Sequence, residues 1–286
     1  MQNTTSAIHI GRIGYKKAIK FRSDNKIPQH FPINIIDEAE KVGLEVRIAA
    51  LPSLEGLYSK GYEKPRIILS ALRPSGRTNF TCAHELAHHL FDHGDSVDEF
   101  FDNNRFAQKD EKELIADSFS AHLLMPQAGI EFYFQETSTS PSSLNYLDVY
   151  NMSSYFRVGY GTLINHLTYA LKLISHKEAN QLLNKKPVEI KSEVFGSKVT
   201  NNLVNFTKLL NSIPLDLKTE DLLFLPTSFS IDGNHLSTIK VCNNGCFYAA
   251  EKPGISRIVS LKEESFSFVR ISKKDFNGRA KFRHLE

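Results

Sequence analysis

The stretch Ala83-His84-Glu85-Leu86-Ala87-His88-His89 decides how this chain is read. On a helix, residues four apart lie on one face. His84 and His88 therefore present two imidazoles side by side, able to fill two of the tetrahedral positions around a zinc ion. Glu85 stands next to the first of them, where a carboxylate reaches a water held by the metal and takes its proton. Zinc lowers the pKa of such a water to about 7, so a hydroxide nucleophile exists at neutral pH. The motif is short and arises by chance; the alternative is an ordinary helix carrying surface histidines.

The flanking sequence favours the catalytic reading. Pro65 to Ala71 is an apolar run rich in branched residues, which predicts a buried strand, and Pro74-Ser75-Gly76 breaks it. Arg77 to Phe91 reads as the helix that carries the motif, with Gly94 as its stop. A strand beside the site could hold an extended peptide by edge pairing. A polar loop is expected from Asp95 to Asp110. Glu111 to Leu124 is the next helix, ended by Met125-Pro126, and helical signals run on to about Phe134.

A catalytic zinc needs a third protein ligand. His89 points about a hundred degrees away from His88 on the helix. His93 lies five residues past the motif, and Phe91 stands where the long metzincin pattern needs glycine. Both histidines are read as surface residues or as supports for the ligands. The following helix offers Glu113 and Asp117, four apart on one face. Glu113 suits the metal. Asp117 suits the second ring proton of a liganding histidine, where it would fix the tautomer. Small residues at Ala116 and Ser120 would let the two helices approach. Glu111 is the rival ligand, two residues away on another face. A plain acidic helix start is the alternative for all of these carboxylates.

At this point the residues resemble a known family. Arg77-Thr78-Asn79-Phe80-Thr81-Cys82-Ala83-His84-Glu85-Leu86-Ala87-His88 is similar to the core of the ImmA/IrrE metallopeptidases. Glu113-Leu114-Ile115-Ala116-Asp117-Ser118-Phe119-Ser120-Ala121-His122-Leu123-Leu124-Met125-Pro126 resembles that family's next helix, and Leu57 to Ala71 its preceding strands. The likeness covers about residues 30 to 135. It implies a gluzincin-like fold with His84, His88 and Glu113 on zinc and Glu85 as the general base. It also implies a substrate class, a helix-turn-helix repressor whose cleavage switches on stress-response or mobile-element genes. That last step follows from kinship alone.

Outside the motifs the chain reads more faintly. The first thirty residues show no clear period. Pro32 to Gly43 repeats at helical spacing, and Leu44 to Ala49 alternates like a strand. Thr137 to Ser143 is the best internal linker. Leu147 to Ile174 looks like two helices around a turn at Val158 to Gly161. The part from Met152 resembles the helix-turn-helix-like piece that follows this peptidase domain. Val158-Gly159 and His166-Leu167 depart from the family's Val-Ser and Arg-Leu, which favours a packing element over a DNA reader. Ser192 to Ile213 is read as an amphipathic helix. Phe229–Ile231, Leu236–Val241, Phe247–Ala250, Ile255–Leu261 and Phe266–Ile271 are read as strands, with a hairpin turn at Asn243-Asn244-Gly245 that uses positive backbone angles.

Composition bounds the rest. Of 286 residues, 41% are hydrophobic and 23% charged, ordinary values for a soluble globular protein. The net charge of +3 is too small and too scattered to mark a nucleic-acid binder. Met1 to Tyr15 has no apolar core of the signal-peptide kind, and no stretch is suited to a bilayer. Cys82, Cys242 and Cys246 are too few for a disulfide scaffold, so a cytoplasmic location is expected. The expected class is α+β: a metallopeptidase domain over 1–140, a helix-turn-helix-like segment over 141–190 and a C-terminal α+β recognition or sensory domain over 191–286. Zinc is the expected metal, although histidine and carboxylate also suit manganese or iron. Tyr146, Tyr150, Tyr155, Tyr160, His122 and His166 are the candidates to stabilise an oxyanion. The rival reading is a regulator of peptidase-like fold that binds repressor or DNA without cutting, or a toxin–antitoxin partner.

Overall fold

A computed structural model describes residues 2–61, 63–99, 110–210 and 213–285. The chain starts with α1 (Gln2–Asp24), in the stretch that shows no clear period. α2 (Ile35–Lys41) follows, and Gly43, at φ +100°, turns the chain into β1 (Glu45–Ala49). β2 (Leu54–Ser59), β3 (Arg66–Ser70) and α3 (Ser75–Leu90) come next. The polar loop expected after α3 holds β4 (Ser96–Glu99); its residues 100–109 lie outside the described ones. α4 (Glu111–Leu124) and α5 (Gln127–Thr137) stand where helix was expected.

α6 (Tyr146–Phe156) and α7 (Tyr160–Asn165) flank a turn in which Arg157 takes the left-handed conformation, at φ +57°. α7 runs into a π-helical turn, His166–Ala170. α8 (His176–Asn184) and α9 (Pro187–Phe195) follow. The long helix expected over Ser192 to Ile213 is wrong. α9 stops at Gly196, whose φ of +82° is the left-handed terminator that ends many helices. Beyond it the chain enters β5 (Leu203–Asn205), and residues 211–212 lie outside the described ones. Then come β6 (Leu215–Lys218), β7 (Leu222–Pro226), β8 (Phe229–Asp232), β9 (Leu236–Cys242), β10 (Gly245–Ala250), β11 (Gly254–Ser260), β12 (Phe266–Ser272) and β13 (Gly278–Arg279).

The strands form three sheets in a mixed α+β arrangement. The first runs β13-β1-β3-β2-β4, with β1 and β3 parallel and the other pairs antiparallel. The others run β5-β7-β10-β9 and β6-β12-β11-β8. The β9–β10 hairpin turns at Asn243-Asn244, as expected, but without positive φ at either residue or at Gly245. Glycine is needed at 245 for space: a Cβ there would lie 2.2 Å from Leu225 O.

α1 fixes the position of α4. A Cβ at Gly14 would sit 2.6 Å from both Ile115 O and Phe119 N, so only glycine permits this crossing. Ser118 Oγ donates to Gly11 O at 2.7 Å across it. Arg22 is fully buried and donates twice to Leu123 O, at 2.8 and 2.7 Å, and to the carbonyls of Pro28 and Phe31. It thereby satisfies a C-terminal carbonyl that α4 itself leaves open. The α6–α7 turn packs on the start of α3, where a Cβ at Gly76 would meet Val158 C at 2.6 Å. Asn79 Nδ2 donates to Arg157 O there, at 3.0 Å.

One apolar core continues from Ala18 and Phe21 through α3 and α4 to Ile271 and Ala280. The end of the chain returns to its beginning: β13 pairs with β1, and Arg283 donates to Asp37 in α2. No helix among the described residues is long and apolar enough to cross a membrane.

Candidate metal centre

α3 buries most of its circumference. Cys82, Ala83, Leu86 and Ala87 are fully buried and anchor it in the core. His84, Glu85 and His88 are themselves only 4%, 0% and 3% exposed. Asp110 caps α4, accepting from the Glu113 N–H at 2.9 Å, so the helix starts just ahead of its acidic residue. Ala116 and Ser120 are buried where α4 lies on α3, and Ser120 folds its hydroxyl back onto Ala116 O at 2.7 Å.

This packing brings three side chains together. His84 Nε2 lies 3.1 Å from His88 Nε2 and 3.1 Å from Glu113 Oε2, and His88 Nε2 lies 3.4 Å from Glu113 Oε1. Ligand atoms of a tetrahedral zinc, at bond lengths near 2.1 Å, stand about 3.4 Å apart. The donor set and its spacing therefore fit a divalent metal. The far nitrogens of both rings are also engaged. Asp117 Oδ1 is 3.1 Å from His84 Nδ1, and His93 Nδ1 is 3.1 Å from His88 Nδ1. Such partners hold a liganding ring in orientation and tautomer.

Burial and the two carboxylates of α4 shape the electrostatics of the cluster. Burial works to lower the His84 pKa, but the bonded carboxylates of Asp117 and Glu113 overcome it and hold it up at about 10. Burial pushes His88 down to about 4, and the charge on His84 adds to this. Its bond to His84 lowers the Glu113 carboxyl, against burial. Burial raises Glu85 to about 7, with Ser96 and His84 opposing. Ser96 Oγ donates to Glu85 Oε2 at 2.5 Å, while Glu85 Oε1 is buried without a hydrogen-bond partner. A carboxylate poised near neutrality with one open oxygen can act as a general base.

Other candidates lie elsewhere. Glu111 is exposed at the first turn of α4. His89 turns to Tyr58, its Nδ1 2.9 Å from the phenol oxygen. Tyr146 donates to Glu193, Tyr150 to Leu203 O, Tyr155 to His30 O and Tyr160 to Leu182 O. His166 Nε2 bonds Met125 O, and His122 packs its ring between Tyr15 and His166. Five of these six oxyanion candidates thus hold hydrogen bonds, while His122 Nδ1 is buried without one. Sequence reasoning missed Ser96, which sits in a stretch without pattern, and the specific contact of His93. Cys242 and Cys246 are free and half-buried.

No curated protein matches the chain. The peptidase family described as the IrrE N-terminal-like domain matches residues 39–168, which include the whole triad together with Glu85, Asp117, His93 and Ser96. Over these residues the chain is similar to the ImmA/IrrE family.

Proposed function

We propose that the chain is a zinc-dependent endopeptidase of gluzincin-like fold. His84, His88 and Glu113 hold the metal, Asp117 orients His84, and Glu85 is the general base. The observation that carries this reading is the convergence of three ligand atoms beside a buried carboxylate with one open oxygen. A bound divalent metal would polarise the scissile carbonyl and lower the pKa of water. Glu85 takes the proton of the attacking water and passes it to the leaving amine as the carbon–nitrogen bond breaks. Helices α3 and α4 hold these groups on rigid scaffolding, which suits catalysis better than loops do.

The substrate we infer from kinship is a helix-turn-helix transcriptional repressor, cut to derepress stress-response or mobile-element genes. The segment over 141–190 then serves as a packing support for the peptidase domain, consistent with its seat on the start of α3. The part over 191–286 serves recognition or sensing.

The test is Glu85→Gln. The variant should bind metal as the wild type does and lose cleavage of repressors encoded beside its gene. Unchanged regulatory activity in that variant would move the protein to a binding role without proteolysis. Metal analysis of protein purified without added metal decides between zinc, manganese and iron.

A further inference from the structure

We propose that Ser96 is the positioning residue for Glu85, fixing the carboxylate through a two-point clamp between the sheet and α3. The proposal rests on the peptidase reading above.

Ser96 and Tyr58 are directly opposite each other in the antiparallel β2–β4 pair. Glu85 and His89 are four apart on α3 and so share a face. The strand pair grips both: Ser96 Oγ bonds Glu85 Oε2 at 2.5 Å, and Tyr58 OH bonds His89 Nδ1 at 2.9 Å. One rung of the sheet thus holds one turn of the helix at two points. Between them the grips set both the rotation of α3 against the sheet and the direction of the Glu85 carboxylate.

The grip is selective. Glu85 is fully buried, Ser96 ties one of its oxygens, and the other has no partner. A free carboxylate rotates about its terminal bond, which is a broad, roughly two-fold torsion. Tied at Oε2, it presents Oε1 in one direction. Val97, next to Ser96, is 61% exposed, so the strand alternates between a residue turned to the base and one turned outward. Among the described residues β4 lies at one edge of its sheet and β13 at the other. Ser96 thus joins the general base to the outermost described strand on that side of the sheet.

The test compares Ser96→Ala, Ser96→Thr and wild type on the quenched-fluorescent peptide, from a mixed library, that the wild type cleaves fastest. Loss of a hydrogen bond to a charged group should lower kcat by about 10- to 100-fold. KM and bound metal should stay as in wild type, and Ser96→Thr should recover most of kcat. A second readout needs no activity: Ser96→Ala should shift the urea midpoint of the metal-free protein, but not in a Glu85→Ala background. If Ser96→Ala does not fold, Ser96→Cys, which keeps the volume with a weaker donor, takes its place in both comparisons. An active wild type with an equally active Ser96→Ala would overturn the proposal, as would equal midpoint shifts in the two backgrounds. A wild type that hydrolyses no peptide and no repressor would overturn the peptidase reading and this proposal with it.

Discussion

Asp117 and His84 meet at 3.1 Å, carboxylate oxygen to Nδ1, on the side of the imidazole away from Glu113. One ring therefore has a carboxylate at each nitrogen, both from α4. The second contact leaves Nε2 as the atom that faces His88 and Glu113. Replacing Asp117 with Asn should keep the fold and weaken metal binding by about 10- to 100-fold, the usual cost of losing such a support. Competition with a chromophoric chelator measures this. Affinity equal to wild type would show that His84 needs no orienting partner.

Gly14 should not tolerate a side chain. Its Cβ would collide with the backbone of α4 at Ile115 and Phe119, and backbone yields less easily than a flexible side chain. Gly14→Ala is expected to cost about 1–3 kcal/mol by overpacking, despite the better helix propensity of alanine. Gly11→Ala, where nothing lies within 4 Å of the added carbon, should be neutral or stabilising. Thermal unfolding of the two variants provides the comparison.

His122 and His166 should make the protein sensitive to mild acid. Burial lowers them to about 4 and about 3, and their rings pack against each other. The unfolded chain takes up these protons below a pH of about 6.5, before the folded chain does. Their contribution is therefore complete above about 6.5 and is lost as pH falls toward the folded values. Each contributes a slope of up to about 1.4 kcal/mol per pH unit in that window. Urea midpoints between neutral pH and the folded pKa values should fall more steeply in wild type than in His166→Leu. Parallel curves would show that the pair does not titrate on unfolding.

Arg283 is expected to tie the last turn of the chain to α2 and β6. Its guanidinium lies 2.8 Å from Asp37 and 3.2 Å from Asp216, and Arg270 bridges the same two carboxylates at 2.7 and 2.5 Å. Burial alone would raise Asp216, but Arg283 and Arg270 hold it well below the usual carboxylate range. The stability from that carboxylate is present above about pH 3.9 and is lost as pH falls below it. Arg283→Ala leaves two half-buried carboxylates with one donor fewer and should cost about 1–3 kcal/mol. A double-mutant cycle with Asp37→Ala gives the coupling; additive effects would place the two residues in separate interactions.

Much of the site was legible because it is written in helical spacing. His84 and His88, and Glu113 and Asp117, are both four-residue pairs, and that spacing survives any tertiary arrangement. α1 was hidden for a packing reason. Its buried stripe runs Ile10, Gly14, Ala18, Phe21 and Arg22, with a glycine where α4 crosses and an arginine where carbonyls need a donor. Neither residue looks apolar in a sequence. The overlong helix from Ser192 failed because Leu203 and Val204 carry no local mark of the partner strand β7 that claims them.

The sequence by itself determined the candidate metal-binding residue types, their order, and the helices that present them, since all of these depend on neighbours within one or two turns. Only the tertiary structure decided what surrounds them. That Ser96 reaches Glu85, that His93 reaches His88, and that the last residues of the chain close on α2 depend on strand pairing and helix crossing. Those contacts join residues whose separation along the chain has no period, so they exist only once the core has set the elements side by side.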